Sequence, residues 1–360
     1  MKNRARRLTV SLAAVVAAGL ALSGCGSSPD SGTADPAVSP ASGDTLIVYT
    51  NSNGDGRGDW VTAEAAKAGF DIQIVGLGGA DLANRIVAEK NNPVGDVVFG
   101  LNNMYFENLK AEDAITAYTP AWSGEVDQAA GDPADGAYWP LVEQAIVTVH
   151  DAKQTSGGDV PKDVTDLYSS KHEGEYEVNT RLGEATPQLI LAGLLAPYED
   201  PDGDLGISDA GWQVVKDYFA NGSPAVEGTD LYARLSRGEV AFGTLASSGI
   251  AARDAQYGTT TEIVPAKAGV PFVTEQIAEI AGTKKEEHAR AFIDWFGSAD
   301  VQGAFAEQFS SYPVSTTARE KALPAVKELI ESLDKQDVDY GFVREHIADW
   351  VEKTELEYLP

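Results

Sequence analysis

Between Leu46 and Lys110 apolar runs and amphipathic segments alternate at short, even spacing, and this pattern restricts the fold more than any other feature. Leu46-Ile47-Val48-Tyr49-Thr50 is a β-branched run read as a buried strand, and Trp60 to Ala68 has the apolar period of a helix. Phe70 to Val75 alternates as a second strand, and Asp81 to Lys90 places Leu82, Ile86 and Val87 on one helical face. Asp96-Val97-Val98-Phe99 forms a third strand, and a helix begins at Asn103. Strand, helix, strand, helix, strand predicts an α/β fold built on a mostly parallel sheet flanked by helices.

The same grammar continues more weakly. Strands are expected at Glu175–Thr180, Glu239–Thr244 and Ile277–Ala281, with helices at Pro187–Leu195, Trp212–Ala220, Leu231–Arg237 and Glu286–Phe296. Helical segments Val301–Phe309 and Leu323–Leu333 lead to a helical C-terminus. A chain of 360 residues exceeds a usual single core, so two lobes follow. The apolar stretch Gln144 to Val149 reads as a strand passing between them, with a return near Ala266 to Val273. The expected division is 44–145 plus about 273–320 for the first lobe and 146–272 for the second. Residues 321–360 form C-terminal helices.

Ahead of the folded part, Lys2, Arg4, Arg6 and Arg7 precede an apolar segment from Leu8 to Leu22. It falls short of the roughly 20 residues a spanning helix needs, so residues 1–24 read as a signal peptide. Leu22-Ser23-Gly24-Cys25 resembles a lipobox. That resemblance implies cleavage after Gly24 and diacylation, with palmitate among the acyl groups, of Cys25, the only cysteine. Residues 25–43 are rich in Ser, Pro, Gly, Ala and Asp, the composition of a flexible tether. The chain has 27 basic and 55 acidic residues; losing the four basic residues of the leader leaves 23 against 55. Such a body is repelled by nucleic acid and anionic lipid surfaces, so membrane contact is expected only through the lipid.

The order of the segments resembles the extracellular solute-binding proteins of bacterial ABC transporters, with a type II periplasmic-binding-protein fold. More narrowly it resembles their iron(III)/thiamine/phosphonate/sugar-phosphate branch. The carrying residues are Leu46 to Ser52, Gly95-Asp96-Val97-Val98-Phe99-Gly100, the Gly282 to Lys285 turn, and Ser311-Tyr312-Pro313-Val314. The resemblance implies a monomer whose lobes close on a small solute and deliver it to an ABC permease and its ATPase. No enzyme chemistry and no cofactor are implied. The place of action would be the cell envelope, on the outer face of the cytoplasmic membrane or in the periplasm.

In an open sheet the ligand lies beyond the carboxyl ends of the strands. Those ends supply Thr50, Asn51 and Ser52, then Gly78 and Gly79, then Gly100 and Asn102. In the second lobe they supply Gly183, Thr186, Thr244, Ser247 and Ser248, with Tyr312 added from the late motif. Exposed backbone N–H groups, helix starts and hydroxyls suit an oxyanion, favouring a phosphorylated or phosphonate solute. Arg181 or Arg234 would supply a positive partner, and Tyr49, Trp139 and Tyr312 would pack on the organic part. Each position is equally ordinary turn or core chemistry.

Ferric ion is the alternative cargo. Iron-binding members of the branch usually present adjacent tyrosines, however, and this chain has no Tyr-Tyr pair. His150, His172, His288 and His346 are dispersed. The Asp200 to Asp204 run starts like a calcium loop but has Leu205 for the turn glycine and Gly211 for the closing glutamate, and the stretch from Asn51 to Gly56 has the glycine but Thr62 for the glutamate. Arg57-Gly58-Asp59 is read as a loop tripeptide without function. A secreted, lipid-anchored hydrolase is the alternative of another class, although no nucleophile elbow, zinc helix or phosphate-binding loop is present.

Overall fold

The computed structural model describes residues 45–359, so the leader, Cys25 and nearly all of the tether lie outside the described residues. The first half of the chain runs β1 (Leu46–Thr50), α1 (Arg57–Lys67), β2 (Ile72–Gly76), α2 (Gly79–Glu89), β3 (Val97–Asn102), α3 (Asn103–Ala111), β4 (Ile115–Thr116) and β5 (Trp139–Asp151). The second lobe follows with β6 (Glu177–Val178), α4 (Ala185–Leu195), β7 (Glu199–Asp204), α5 (Asp209–Asn221), β8 (Ser223–Pro224), α6 (Leu231–Ser236), β9 (Phe242–Ala246), α7 (Ile250–Tyr257) and β10 (Thr261–Ile263). The chain then returns through β11 (Phe272–Ile280), α8 (Glu286–Phe296), α9 (Ala299–Phe309), β12 (Tyr312–Pro313), α10 (Pro324–Ser332) and α11 (Tyr340–Glu357).

Strands β2, β1 and β3 are parallel, and the side-chain alternation of a strand divides the first-lobe core in two. Val48, Val97 and Phe99 face a layer containing Val61 of α1 and Phe292, Ile293 and Phe296 of α8. Tyr49, Val98 and Leu101 face the opposite layer, with Leu82 and Ile86 of α2 and Phe106 of α3. Burial on both faces explains why β3 reads as an unbroken buried run.

The sheets are mixed rather than mostly parallel, because β11 runs antiparallel to both β3 and β5. The physical reason is topological: the strand that carries the chain out of a lobe and the one that brings it back point in opposite directions. Strand β5 belongs to both lobes. Its residues up to Ala145 pair with β11, and Ile146 to His150 pair antiparallel with β9. Two elements also differ in extent. Strand β9 ends two residues later than its expected limit, and the expected strand at 175–180 shrinks to β6, paired in parallel with β8. Helix α11 packs against α3 and α4, with Trp350 fully buried and its indole N–H donating to the Leu205 carbonyl at 3.0 Å. No described helix is long and apolar enough to cross a membrane.

Candidate functional site

Helix α1 starts three residues earlier than its apolar period suggests. Asp55 (φ 54°) and Gly56 (φ 81°) both adopt the left-handed conformation, and that turn feeds the chain directly into the helix. The consequence is positional: Arg57 becomes the first helical residue and faces the cleft between the lobes.

A cavity of about 350 Å³ lies in that cleft. Asn51, Ser52, Gly100 and Asn102 line it from the first lobe, and Thr186, Thr244 and Ser248 from the second. Gly100 has a φ of 94°, and a Cβ there would fall 2.7 Å from that of Ser52, so the ends of β1 and β3 approach as only glycine allows.

Other predicted positions fall elsewhere. Thr50 is fully buried and its hydroxyl accepts from the Ser52 N–H at 2.9 Å, shaping the turn without lining the cavity. Gly78 caps α2, and Gly79 packs under Tyr105 and Ala185. Gly183 sits in the turn before α4, outside the lining. Ser247 is buried and accepts from the Ala145 N–H at 3.2 Å. Tyr312 lies on β12, its hydroxyl directed at Glu331 (3.2 Å) and its ring under Arg319. Tyr49 bonds Glu89 at 2.8 Å and Trp139 bonds the Tyr118 carbonyl at 2.6 Å, so both serve the core.

The positive charge also comes from unforeseen residues. Arg181 is exposed and pairs with Glu184, while Arg234 is buried against Glu177 at 2.7 Å, away from the cleft. The cavity instead has Arg57 and Arg253. Arg57 sits 3.7 Å from Asp55 and 3.5 Å from the Ser248 hydroxyl. Arg253 pairs with Asp230 at 2.9 Å. Two helices of the second lobe open on the same space. Ala185 and Thr186 are the first residues of α4, and the 3-10 turn Ser247–Gly249 leads into α7. Helix starts leave N–H groups unpaired and carry partial positive charge.

Gln144 and Glu275 complete the floor. The ladder changes register at Glu275 against both β3 and β5, and such a bulge re-aims a side chain. The Gln144 amide donates to the Glu275 carboxylate, and the Ser248 hydroxyl donates to the Gln144 carbonyl oxygen at 2.7 Å. A chain of polar contacts therefore links Glu275, Gln144, Ser248 and Arg57 across the cleft. Burial pushes the Glu275 carboxyl up to about 6, against the opposing pull of Arg57, Ser52 and Gln144. Asn102 is 6% exposed; its side-chain oxygen accepts from the Tyr105 N–H, and its amide nitrogen has no partner. The side-chain oxygen of Asn51 is also buried and unpartnered. Among the described residues no group of three or more His, Cys, Asp or Glu could hold a metal ion.

A second cavity, about 460 Å³, lies behind α4, and Ile146 and Thr244 border both spaces. Its walls are largely apolar, and its Asp163 and Lys267 pair with each other at 3.2 Å.

Residues 92–330 match the family described as bacterial extracellular solute-binding protein. The chain belongs to that family. The binding protein is also 30% identical over 321 residues to the probable ABC transporter periplasmic-binding protein y4fP of Sinorhizobium fredii, covering 89% of this chain and 88% of that one. Iron-bound HitA of Pseudomonas aeruginosa superposes with a TM-score of 0.73 at 17% identity, over 86% of this chain and 98% of the other. AfuA of Actinobacillus pleuropneumoniae, solved with fructose-6-phosphate, gives 0.70 at 17% identity, over 87% and 98%. These likenesses show the two-lobed type II periplasmic-binding fold. The binding protein is the substrate-binding component of an ABC importer and passes a small solute to a permease.

Proposed function

We propose that the cavity takes a small organic anion, with an oxyanion held by Arg57, Arg253 and the helix starts of the second lobe. The observation that carries this reading is the donor set. Two guanidinium groups and the unpartnered amide nitrogen of buried Asn102 line one space, beside the helix starts at Ala185 and Ser248. Donors of this kind are met by phosphate, phosphonate or carboxylate oxygens. Closure of the lobes around the solute would use β5 and the return into β11 as the moving connections. Lipid attachment at Cys25, holding the protein at the outer face of the membrane, belongs to the same proposal.

Ferric ion is the second reading, because ferric-ion-binding proteins recur among the similar structures. The lining argues against it: among the described residues no tyrosine, histidine or cysteine lines the cavity, and its carboxylates are Asp55 and Glu275. A hard trivalent ion prefers several anionic ligands over arginine.

A thermal-shift screen of the unlipidated mature chain (Cys25→Ser) against phosphate esters, phosphonates, carboxylates and ferric citrate tests the proposal. A solute at about 100 times its Kd adds roughly 2.7 kcal/mol and moves Tm by a few degrees. A shift with organic anions that Arg57→Ala removes supports it. A shift with ferric ion alone, retained in that variant, overturns it.

A further inference from the structure

We infer that Glu275 is a specificity residue for a positively charged nitrogen, so that the solute is a small zwitterion. The inference rests on the anion reading above and adds the opposite pole.

Glu275 lies in the middle of a strand that is otherwise buried from Phe272 to Ile280. A carboxylate in such a place costs stability unless a cation or several backbone N–H groups meet it. Buried carboxylates elsewhere in the molecule meet that condition. Glu279, four residues along the same strand, pairs with Arg290 at 2.7 Å; Asp96 pairs with Lys285 at 3.1 Å, and Asp132 with Lys110 at 2.8 Å. Asp151 instead accepts from the backbone N–H groups of Lys153 and Thr260.

Glu275 has neither. Its contacts are the Gln144 amide and the Ser52 hydroxyl, both neutral, and among the described residues no cation lies within 4 Å of it. Arg57 is near enough to act on its charge, but the carboxylate that Arg57 approaches is that of Asp55. The double register shift turns Glu275 toward the cavity instead of into a layer of the core. Asn51, whose side-chain oxygen is buried without a partner, lines the same cavity. A carboxylate that no cation touches and the guanidinium groups of Arg57 and Arg253 thus line one cavity, a site holding both signs of charge. Its complement is an ammonium or iminium nitrogen and an oxyanion in one small molecule.

Calorimetric titration of the unlipidated mature chain with two matched pairs tests this. O-phosphoethanolamine is compared with ethyl phosphate, and β-alanine with propionate. In at least one pair the amine-bearing member is expected to bind about 10- to 100-fold tighter, and Glu275→Gln brings the ratio of the two affinities close to one. A wild-type ratio near one, or a ratio that survives Glu275→Gln, overturns the assignment while leaving the anion site standing. Failure of all four compounds to bind overturns the anion reading and this inference with it. A folding measurement guards against a merely structural role. Glu275→Gln should raise the Tm of the ligand-free protein at pH 8, whereas a carboxylate needed for the fold would lower it.

Discussion

The two walls of the cavity are built differently. The first-lobe wall is made mainly of strand ends and a bulge, with Arg57 added from the start of α1: Asn51 and Ser52 after β1, Gly100 and Asn102 on β3, and Glu275 on β11. Asn102 and Glu275 pair with each other across the β3–β11 ladder, and Asn51 and Ser52 follow directly on the paired end of β1. The second-lobe wall is made mainly of helix starts, with Thr186 on α4, Ser248 in the turn before α7, and Arg253 within α7. The unpartnered polar atoms cluster on the first wall, while Arg253 on the second is already held by Asp230. A rigid wall can keep buried groups unsatisfied until a solute arrives, because the sheet prevents them from finding other partners. The helix-built wall satisfies its charges internally and contributes dipoles and hydroxyls. On this contrast, recognition of the solute's charges is set by the first wall and closure over it by the second.

The largest test is Arg57→Ala, which removes the first wall's cation. Affinity for the organic anion found by screening should fall about 100-fold, and Arg57→Lys should restore only part of it. An equal loss from Arg253→Ala would erase the contrast. A loss of about 10-fold there, since Asp230 already occupies that guanidinium, would sharpen it.

The acid response of the ligand-free protein comes next. The folded-state carboxyl of Glu275 stands at about 6, above its ordinary value of 4.5. Its contribution to stability is therefore fully present below about 4.5 and is lost as pH rises through 6. Comparing wild type with Glu275→Gln by denaturant unfolding at pH 4.5 and pH 8 should show the difference changing by about 1–2 kcal/mol in favour of the variant at pH 8. A pH-independent difference would mean that the carboxylate is not desolvated on the first wall.

Ser248→Ala cuts the contact chain that joins the walls, and a loss of about fivefold in affinity is expected from one neutral hydrogen-bonding group. A small-angle scattering comparison with saturating solute should show the variant closing as wild type does. The smallest effect is expected from Tyr312→Phe, under twofold in affinity, because its hydroxyl faces Glu331 outside the cavity. Loss of ferric binding in that variant would instead restore the tyrosine-centred iron reading.

Much of the first lobe was legible because its signals are local. The run Leu46 to Thr50 is buried on both faces of a sheet, and helix α8 spans Glu286–Phe296 as its apolar period predicts. Strand ends therefore led to Asn51, Ser52, Gly100 and Asn102. The second lobe was harder: β6 is two residues long, and β9 is displaced from the stretch that its apolar residues suggested. Arg57 is hard to find from sequence because the left-handed pair at Asp55 and Gly56, which starts the helix, looks like any glycine-rich turn. Glu275 and Gln144 did carry a usable signal, a charged and an amide residue interrupting buried strands. Arg253 carried none, since an arginine on a polar helix face looks the same whether it meets solvent or a cleft.

From the sequence alone follow the alternating elements, the crossing strand at Gln144 to Val149 and the family, since these depend on patterns within a few tens of residues. Tertiary structure alone decided which charges share a space. Arg57, Gln144, Ser248 and Glu275 lie far apart in the chain and meet only because β5 and β11 carry it between the lobes. It also decided that Arg234 is used up by Glu177 while Glu275 is left without a cation. Electrostatic partnership depends on distance and burial, and neither is written in the order of residues.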